Sequence, residues 1–199
     1  MNFLAHIYLS GTNKQIQIGN FIGDFVKGKA YETYPEAIKK GILLHRAIDD
    51  FTDKHKATKE AILPLKPFFG RYSGVVVDLF YDHCLASEWK HYTEIPLSNA
   101  VDQFHQNLNE HFGYLPPRVK QIVPSLIRNR RLETYTEFRG VEKALEIMAN
   151  RTSLPDKTST AINILEKNRE RYQELTSQLI DNLIPVLRKD WGIEIKKPG

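Results

Sequence analysis

The sequence has a single cysteine, no long apolar run and very little alternation of apolar with polar residues, and each absence excludes a class of protein. Cys84 alone cannot form an intrachain disulfide, and it excludes metal sites built from several thiolates. No apolar run approaches the roughly 18 residues that a membrane-spanning helix needs. The first residues lack the basic segment that opens a secretory signal. We therefore expect a cytoplasmic protein with no membrane partner.

The motifs of several common enzyme classes are also missing. The chain has no P-loop, no Gly-rich dinucleotide fingerprint, no nucleophile elbow and no HExxH pair. A serine or cysteine nucleophile therefore has no support from the sequence. Internal repeats and Gly/Ser linkers are absent as well, and 199 residues are enough to bury a core. These observations predict one domain over residues 1–199.

The net charge of +4 is unevenly distributed along the chain. Lys and Arg outnumber Asp and Glu only from residue 118 onward, and the densest basic group is Arg128, Arg130 and Arg131, with Arg139 nearby. Such a surplus attracts acidic partners of any kind. Because the aromatic-plus-basic clusters of single-strand binders are missing, we do not expect nucleic acid. A solvated helix end explains the basic group equally well.

Helical signals dominate and predict an all-α, single globular domain of eight or nine helices. Pro116-Pro117 breaks the chain, and Pro185 predicts a kink or break in the last helix. Asn2, Ser73 and Ser98 are candidate caps. One short helix is predicted directly after Asn2. The other predicted helices span about 14–27, 35–53, 58–64, 73–90, 98–113, 118–131, 136–150 and 156–191.

Two carboxylates lie one turn apart on the helix predicted from Ser73. Asp78 and Asp82 share a face with apolar residues, and the helix is apolar nearly all round, which predicts burial. Two buried carboxylates repel each other, and a divalent cation would stabilise them. His83 is a further nitrogen donor, although it points about 100° away from Asp82. Alternatively, the two acids pair with arginines or cap neighbouring helices.

The helix predicted from Pro35 repeats the pattern. His45 and Asp49 share one stripe with Ile38 and Ile42, so they can bind one ion, or one can orient the other. Asp53 lies near the edge of that stripe. Asp50 points away from it and is expected in solvent, and His55 fits a helix-ending turn.

Two more candidates lie near the N-terminus. His6 stands among apolar residues, and Asp24 follows Gly19 and Gly23, which permit the close approach of a helix or a ligand. Ordinary packing explains each of these residues too. Taken together, the His and Asp residues of four helices suit manganese, magnesium, iron or cobalt.

Four blocks of the sequence resemble the acyl carrier protein phosphodiesterase family, in the order of that family. They are MNFLAH at 1–6, GNFIGDFVKG at 19–28, LHRAIDDFTDKH at 44–55 and YSGVVVDLFYDH at 72–83. The family is a distant relative of the HD-type metal phosphohydrolases. The resemblance implies an HD-like helical fold, a manganese site, and hydrolysis of holo-acyl carrier protein to the apo-carrier and 4′-phosphopantetheine.

The resemblance also bears on single residues. Asp24 falls where the family has an essential aspartate. The adjacent His-Asp pair of HD enzymes occurs here only in reversed order, as Asp82-His83, so the ligands of those enzymes cannot be transferred. The set expected to hold one or two metal ions is His6, Asp24, His45, Asp49, Asp78 and Asp82.

The remaining roles complete the predicted mechanism. His83 or His45, if not a ligand, would protonate the leaving serine oxygen, and Arg46 or Arg71 would steady the phosphate. The basic C-terminal surface would attract the acidic carrier. Two alternatives remain open: an HD-type nucleotide phosphohydrolase, and a non-catalytic helical adaptor that binds the carrier.

Overall fold

The computed structural model describes residues 1–198, and this range folds into helices without a β-strand, which confirms the all-α prediction. The α-helices are α1 Phe3–Tyr8, α2 Lys14–Ile22, α3 Glu36–Lys54, α4 Lys56–Ala61, α5 Lys66–Phe69, α6 Ser73–Ser87, α7 Trp89–Tyr92, α8 Leu97–Glu110, α9 Pro117–Arg128, α10 Arg131–Thr134, α11 Phe138–Arg151, α12 Thr158–Lys167 and α13 Arg169–Val186. Short 3₁₀ turns, among them Gly23–Phe25, connect several of them.

The predicted helix over 156–191 is wrong, because it is divided into α12 and α13 at Asn168. The backbone of Asn168 leaves the helical region, at φ −119° and ψ 24°, and its side-chain amide donates to the Ile164 carbonyl at 2.8 Å. That bond satisfies a carbonyl at the end of α12. Pro185 lies in the last turn of α13, where the regular helix gives way to a π-helical turn at Leu187–Trp191.

The helix starts also differ from the prediction in detail. Asn2 precedes α1, but its side chain makes no capping bond there. Pro35 precedes α3 instead of lying in its first turn. The fourth helix begins at Lys56, two residues before the predicted start at Thr58, because the His55 ring accepts a hydrogen bond from the Ala57 amide. Side-chain capping of this kind is invisible to apolar periodicity.

The central helix is α6, which packs against α1, α4, α5, α11 and α13. Its burial was predicted, and Val76, Phe80 and Tyr81 are each fully buried. One continuous core surrounds it, extending from Met1 to Ile195. Within residues 1–198, every helix is too short or too polar to cross a lipid bilayer.

Helices α2 and α3 cross almost backbone to backbone at Gly19 and Gly41. A Cβ atom on Gly19 would lie 2.0 Å from the Ile38 carbonyl oxygen, and one on Gly41 would lie 2.2 Å from the Ile16 carbonyl oxygen. Larger residues would therefore force the helices apart. The crossing brings the end of α2 against the middle of α3, where the candidate site lies.

Candidate metal centre

Three side chains on α1 and α3 bring potential metal ligands together. His6, His45 and Asp49 each offer one donor atom, and these atoms lie within 4.8 Å of one another. We refer to these three residues as the histidine–aspartate cluster. Both imidazoles are buried, whereas the Asp49 side chain is 37% exposed. The cluster therefore lies at the edge of the core, with one side open to solvent.

Asn20, at the end of α2, fixes both imidazole rings. Its Oδ1 atom lies 2.7 Å from Nδ1 of His6, and its backbone oxygen lies 2.8 Å from Nδ1 of His45. The Asn20 amide nitrogen donates to the His6 carbonyl and to the Ser10 hydroxyl, which sets the orientation of the amide. Carbonyl oxygens only accept hydrogen bonds, so Nδ1 carries the proton in both rings. In the neutral rings, each Nε2 therefore presents a lone pair.

Those lone pairs face oxygen atoms. Nε2 of His6 lies 3.1 Å from Oδ1 of Asp49, and Nε2 of His45 lies 3.1 Å from Oδ2 of the same carboxylate. Nε2 of His45 is buried and has no partner in hydrogen-bond geometry among the described residues. Nitrogen lone pairs directed at a carboxylate repel it unless a proton on Nε2 or a metal ion lies between them. This arrangement fits a divalent metal held by two imidazoles and one carboxylate.

The charges of the cluster are strongly coupled. Burial acts to lower the pKa of His45, but the carboxylates of Asp24 and Asp49 outweigh it and raise the pKa to about 9. For His6, burial dominates and lowers the pKa. Burial acts to raise the pKa of Asp49, yet the two histidines hold it well below its usual range. The cluster thus stabilises positive charge, as a proton or as a metal ion.

Asp24 lies on the solvent side of the cluster. It belongs to the 3₁₀ turn after α2, its side chain is 68% exposed, and its Oδ1 atom lies 3.4 Å from Nε2 of His45. His45 lowers the pKa of Asp24. The turn can pass this close only because residue 23 is glycine, since a Cβ there would lie 2.3 Å from Cγ of His45.

Asp78 lies beside the cluster but outside it. Its Oδ1 atom is 2.9 Å from the Met1 ammonium nitrogen, which is 3.5 Å from Oδ1 of Asp49. Burial acts to lower the pKa of this ammonium group, but the two carboxylates raise it to about 10. The ammonium therefore joins Asp78 to Asp49 electrostatically. Burial, and then the negative charge of Asp78, raises the pKa of Asp53.

The structure places Asp82 at the N-terminus of α1, away from the cluster. One carboxylate oxygen accepts from the Leu4 amide at 2.9 Å and the other from the Ala5 amide at 3.0 Å. Complete burial raises the pKa of Asp82 to about 7 in spite of these bonds. Both oxygens are thus used to cap a neighbouring helix, the alternative that the sequence left open for this pair of acids.

The other predicted site residues have different surroundings. His83 directs Nδ1 to the Tyr135 carbonyl at 2.8 Å, on another side of α6. The Arg46 guanidinium donates to the carbonyls of Val26 and Gly28, so it organises the loop after Asp24. Arg71 donates to the Tyr72 hydroxyl, exposed Asp50 pairs with Lys54, and His55 caps α4.

Asn20 is the site residue that the sequence did not single out. The signal was present, because an amide between Gly19 and Phe21, in an otherwise apolar stretch, needs partners if it is buried. Asn20 is completely buried, and its side chain makes three hydrogen bonds, two of them to His6.

Comparison with known proteins gives the family. The family model described as acyl carrier protein phosphodiesterase matches residues 1–183. Among proteins of that name, the one from Enterobacter sp. (strain 638) is 34% identical over 152 residues, covering 76% of this chain and 79% of the relative. The protein of that name from Yersinia pestis is 32% identical over 152 residues, which again cover 76% of this chain and 79% of the relative.

A more complete match comes from Pectobacterium atrosepticum, whose acyl carrier protein phosphodiesterase is 26% identical over 94% of this chain and 98% of its own length. No solved structure matches, so the HD-like character of the fold stays a prediction. The match of the family model over most of the chain shows that this protein belongs to the acyl carrier protein phosphodiesterase family.

Proposed function

We propose that this chain hydrolyses the phosphodiester bond between 4′-phosphopantetheine and the serine of holo-acyl carrier protein, giving the apo-carrier. The relatives carry the name of this activity. The observation that carries the proposal is the histidine–aspartate cluster, where two fixed imidazole lone pairs converge on one carboxylate. Buried histidines with both Nδ1 atoms anchored are typical of metal sites.

The activity that we propose depends on a divalent metal, with manganese preferred and magnesium, iron or cobalt as alternatives. His6, His45 and Asp49 would hold it, and Asn20 would keep the rings in place. Such an ion, when bound, lowers the pKa of a water molecule and neutralises the charge of phosphoryl oxygens. The mixed nitrogen and oxygen donors suit manganese, iron or cobalt better than calcium, which prefers oxygen alone.

Asp24 is the residue of this chain best placed to handle a proton during the reaction. Its carboxylate is ionised, because His45 lowers its pKa, and it is exposed on the side from which a substrate can approach. In our proposal it accepts a proton from the water that attacks phosphorus. The bond from phosphorus to the carrier serine oxygen then breaks, and the serine oxygen takes up a proton from solvent, leaving apo-carrier and 4′-phosphopantetheine.

The carrier would dock through the basic C-terminal surface. Within residues 1–198, Arg128, Arg131 and Arg139 make no ion pair, whereas Arg130 is engaged by Asp102 and Glu133. Carrier proteins of this kind are acidic, so unpaired guanidinium groups would speed the encounter. We therefore propose a cytoplasmic enzyme of lipid metabolism that recognises its protein substrate by charge.

The test uses metal-depleted protein and holo-acyl carrier protein, with the mass of the carrier as the readout. Added manganese should restore the loss of the phosphopantetheine mass in the wild type. Asp49→Ala should abolish that recovery, because it removes the carboxylate between the two rings. Asp50→Ala is the matched control, because the Asp50 side chain pairs with Lys54 outside the cluster. This substitution should leave turnover unchanged.

Other outcomes would favour the alternatives. An unchanged carrier mass together with hydrolysis of nucleotides would support a nucleotide phosphohydrolase. Wild-type protein that binds no metal and binds the carrier without cleaving it would support the adaptor.

A further inference from the structure

Arg46 lies on α3, and its side chain binds the loop of residues 26–34. One guanidinium nitrogen, Nη2, donates to the Val26 carbonyl at 2.8 Å and to the Gly28 carbonyl at 2.9 Å. The guanidinium carbon lies 5.1 Å from the centre of the Tyr31 ring. A single side chain of α3 thus contacts this loop at three points.

The two carbonyls that Arg46 binds have no other partner in the described part of the protein. Among residues 1–198, neither accepts a hydrogen bond from a backbone amide. Nη2 carries two hydrogens, so each carbonyl receives one of them. Gly28 has a φ of +55°, which favours glycine, and a Cβ there would meet nothing within 4 Å. Glycine at this position therefore allows the bend of the loop, and Arg46 holds the bend in place.

The loop directly continues the turn that carries Asp24. The Val26 amide closes this turn by donating to the Gly23 carbonyl at 3.3 Å. The Asp24 side chain is mostly exposed, and its one polar contact in the described part of the chain is Nε2 of His45, at 3.4 Å. The backbone on both sides of the turn therefore determines where Asp24 lies. Gly23 packs against His45 on one side, and Arg46 holds Val26 on the other.

We propose that Arg46 is a positioning residue, which keeps Asp24 beside the histidine–aspartate cluster through the loop and does not contact the substrate. This inference rests on the function proposed above, in which Asp24 accepts a proton from the attacking water. The sequence allowed Arg46 to steady the phosphate instead. In the structure the loop uses both hydrogens of Nη2, and one face of the guanidinium group lies on Tyr31.

Kinetics with holo-acyl carrier protein and manganese measure the effect of Arg46 on the reaction. Arg46→Ala should lower kcat by about 10- to 100-fold, since a small misplacement of a catalytic group is this costly. Arg46→Lys keeps the charge but has no planar group to stack on Tyr31, so it should also lower kcat, by at least about fivefold. KM for the carrier and the affinity for manganese should stay within about threefold of the wild type, because the cluster and the docking surface are intact.

A double-mutant cycle tests whether the effect of Arg46 passes through Asp24. In the Asp24→Asn background, Arg46→Ala should lower kcat by less than about threefold, because no proton acceptor is left to position. A guanidinium group that contacted the phosphate would matter equally in both backgrounds, and this outcome would overturn the inference. Wild-type protein that leaves the carrier intact would instead refute the proposed function, so the two failures are distinct.

Limited digestion with trypsin measures the loop itself, without carrier or metal. Lys27 and Lys29 are exposed in the loop, so the rate of cleavage after them reports how often the loop opens. Arg46→Ala should raise this rate at least about tenfold. Arg151→Ala, which removes an exposed arginine at the end of α11, is the control and should change neither this rate nor kcat.

Equal rates of cleavage in the wild type and in Arg46→Ala would show that Arg46 does not hold the loop, and would overturn the inference whatever the kinetics. An effect of Arg151→Ala as large as that of Arg46→Ala would do the same. Circular dichroism checks that each variant folds. If Arg46→Ala does not fold, Arg46→Lys takes its place in the digestion and in the double-mutant cycle.

Discussion

The imidazole rings of His6 and His45 are stacked, with centroids 4.1 Å apart and planes inclined by 21°, although they belong to different helices. Both rings are tied at Nδ1 to Asn20, one to its side chain and one to its backbone. Their Nε2 atoms consequently face the same carboxylate, Asp49. Two protonated rings at this distance would repel each other, so one cation shared between them is the stable arrangement.

Asn20→Ala tests whether this residue positions the rings. The substitution removes three side-chain hydrogen bonds and leaves Nδ1 of His6 without a partner in the core. Loss of such an orienting partner weakens metal binding by about 10- to 100-fold. We expect that loss in manganese affinity, measured by titration. Asn109→Ala, on the exposed face of α8, should leave the affinity unchanged. Equal affinities of the two variants would contradict a positioning role for Asn20.

Gly23→Ala tests the contact between the Asp24 turn and His45. The new methyl group would lie 2.3 Å from Cγ of His45, so the turn or the ring must move, and the carrier-cleaving activity should fall at least tenfold. Gly74→Ala is the matched control on α6, because a Cβ there meets nothing within 4 Å. It should raise the free energy of unfolding by up to about 1 kcal/mol, because alanine favours a helix over glycine. The carrier mass measures the cleaving activity, and urea unfolding measures the free energy of unfolding.

Part of the fold and site could be predicted from the sequence because helical periodicity is a local property. The stripe through His45 and Asp49 was visible at a spacing of one turn, and the two side chains do face the same site. The burial of α6 followed from its apolar circumference. The division of the last helix at Asn168 was missed, because one amide bonding back to Ile164 leaves no trace in the apolar pattern.

What lies opposite a buried carboxylate could not be predicted, since it depends on contacts distant in the chain. The spacing of Asp78 and Asp82 is the same whether they face a metal ion, an ammonium group or a helix end. The structure pairs Asp78 with the Met1 ammonium and Asp82 with two amides of α1, 78 and 77 residues away. Only tertiary packing distinguishes these cases.

Asp82→Asn tests the buried cap through its pH dependence. The pKa of Asp82 is about 7 in the folded protein and 3.8 in a model compound, because burial disfavours the charged form. The folded state therefore binds the proton more tightly. The stabilisation by this group is complete below about pH 4 and is lost as the pH rises through 7. The wild type should lose stability relative to Asp82→Asn over this range.

Urea unfolding of both proteins at pH 4.5, 6 and 7.5 measures this difference. Using the difference removes contributions from groups that the two proteins share. A difference in the free energy of unfolding that stays constant over the range would show that the two backbone amides, rather than burial, dominate the titration of Asp82.

Asp24→Asn separates a proton-transfer role from a structural one. The side chain is 68% exposed, so the free energy of unfolding should change by no more than about 0.5 kcal/mol. The amide cannot accept a proton, so carrier cleavage should fall by about 100-fold or more. Manganese affinity should stay within a few-fold of the wild type, because the three cluster residues remain. A loss of manganese affinity as large as that of Asp49→Ala would instead make Asp24 a metal ligand, and full activity would remove it from the mechanism.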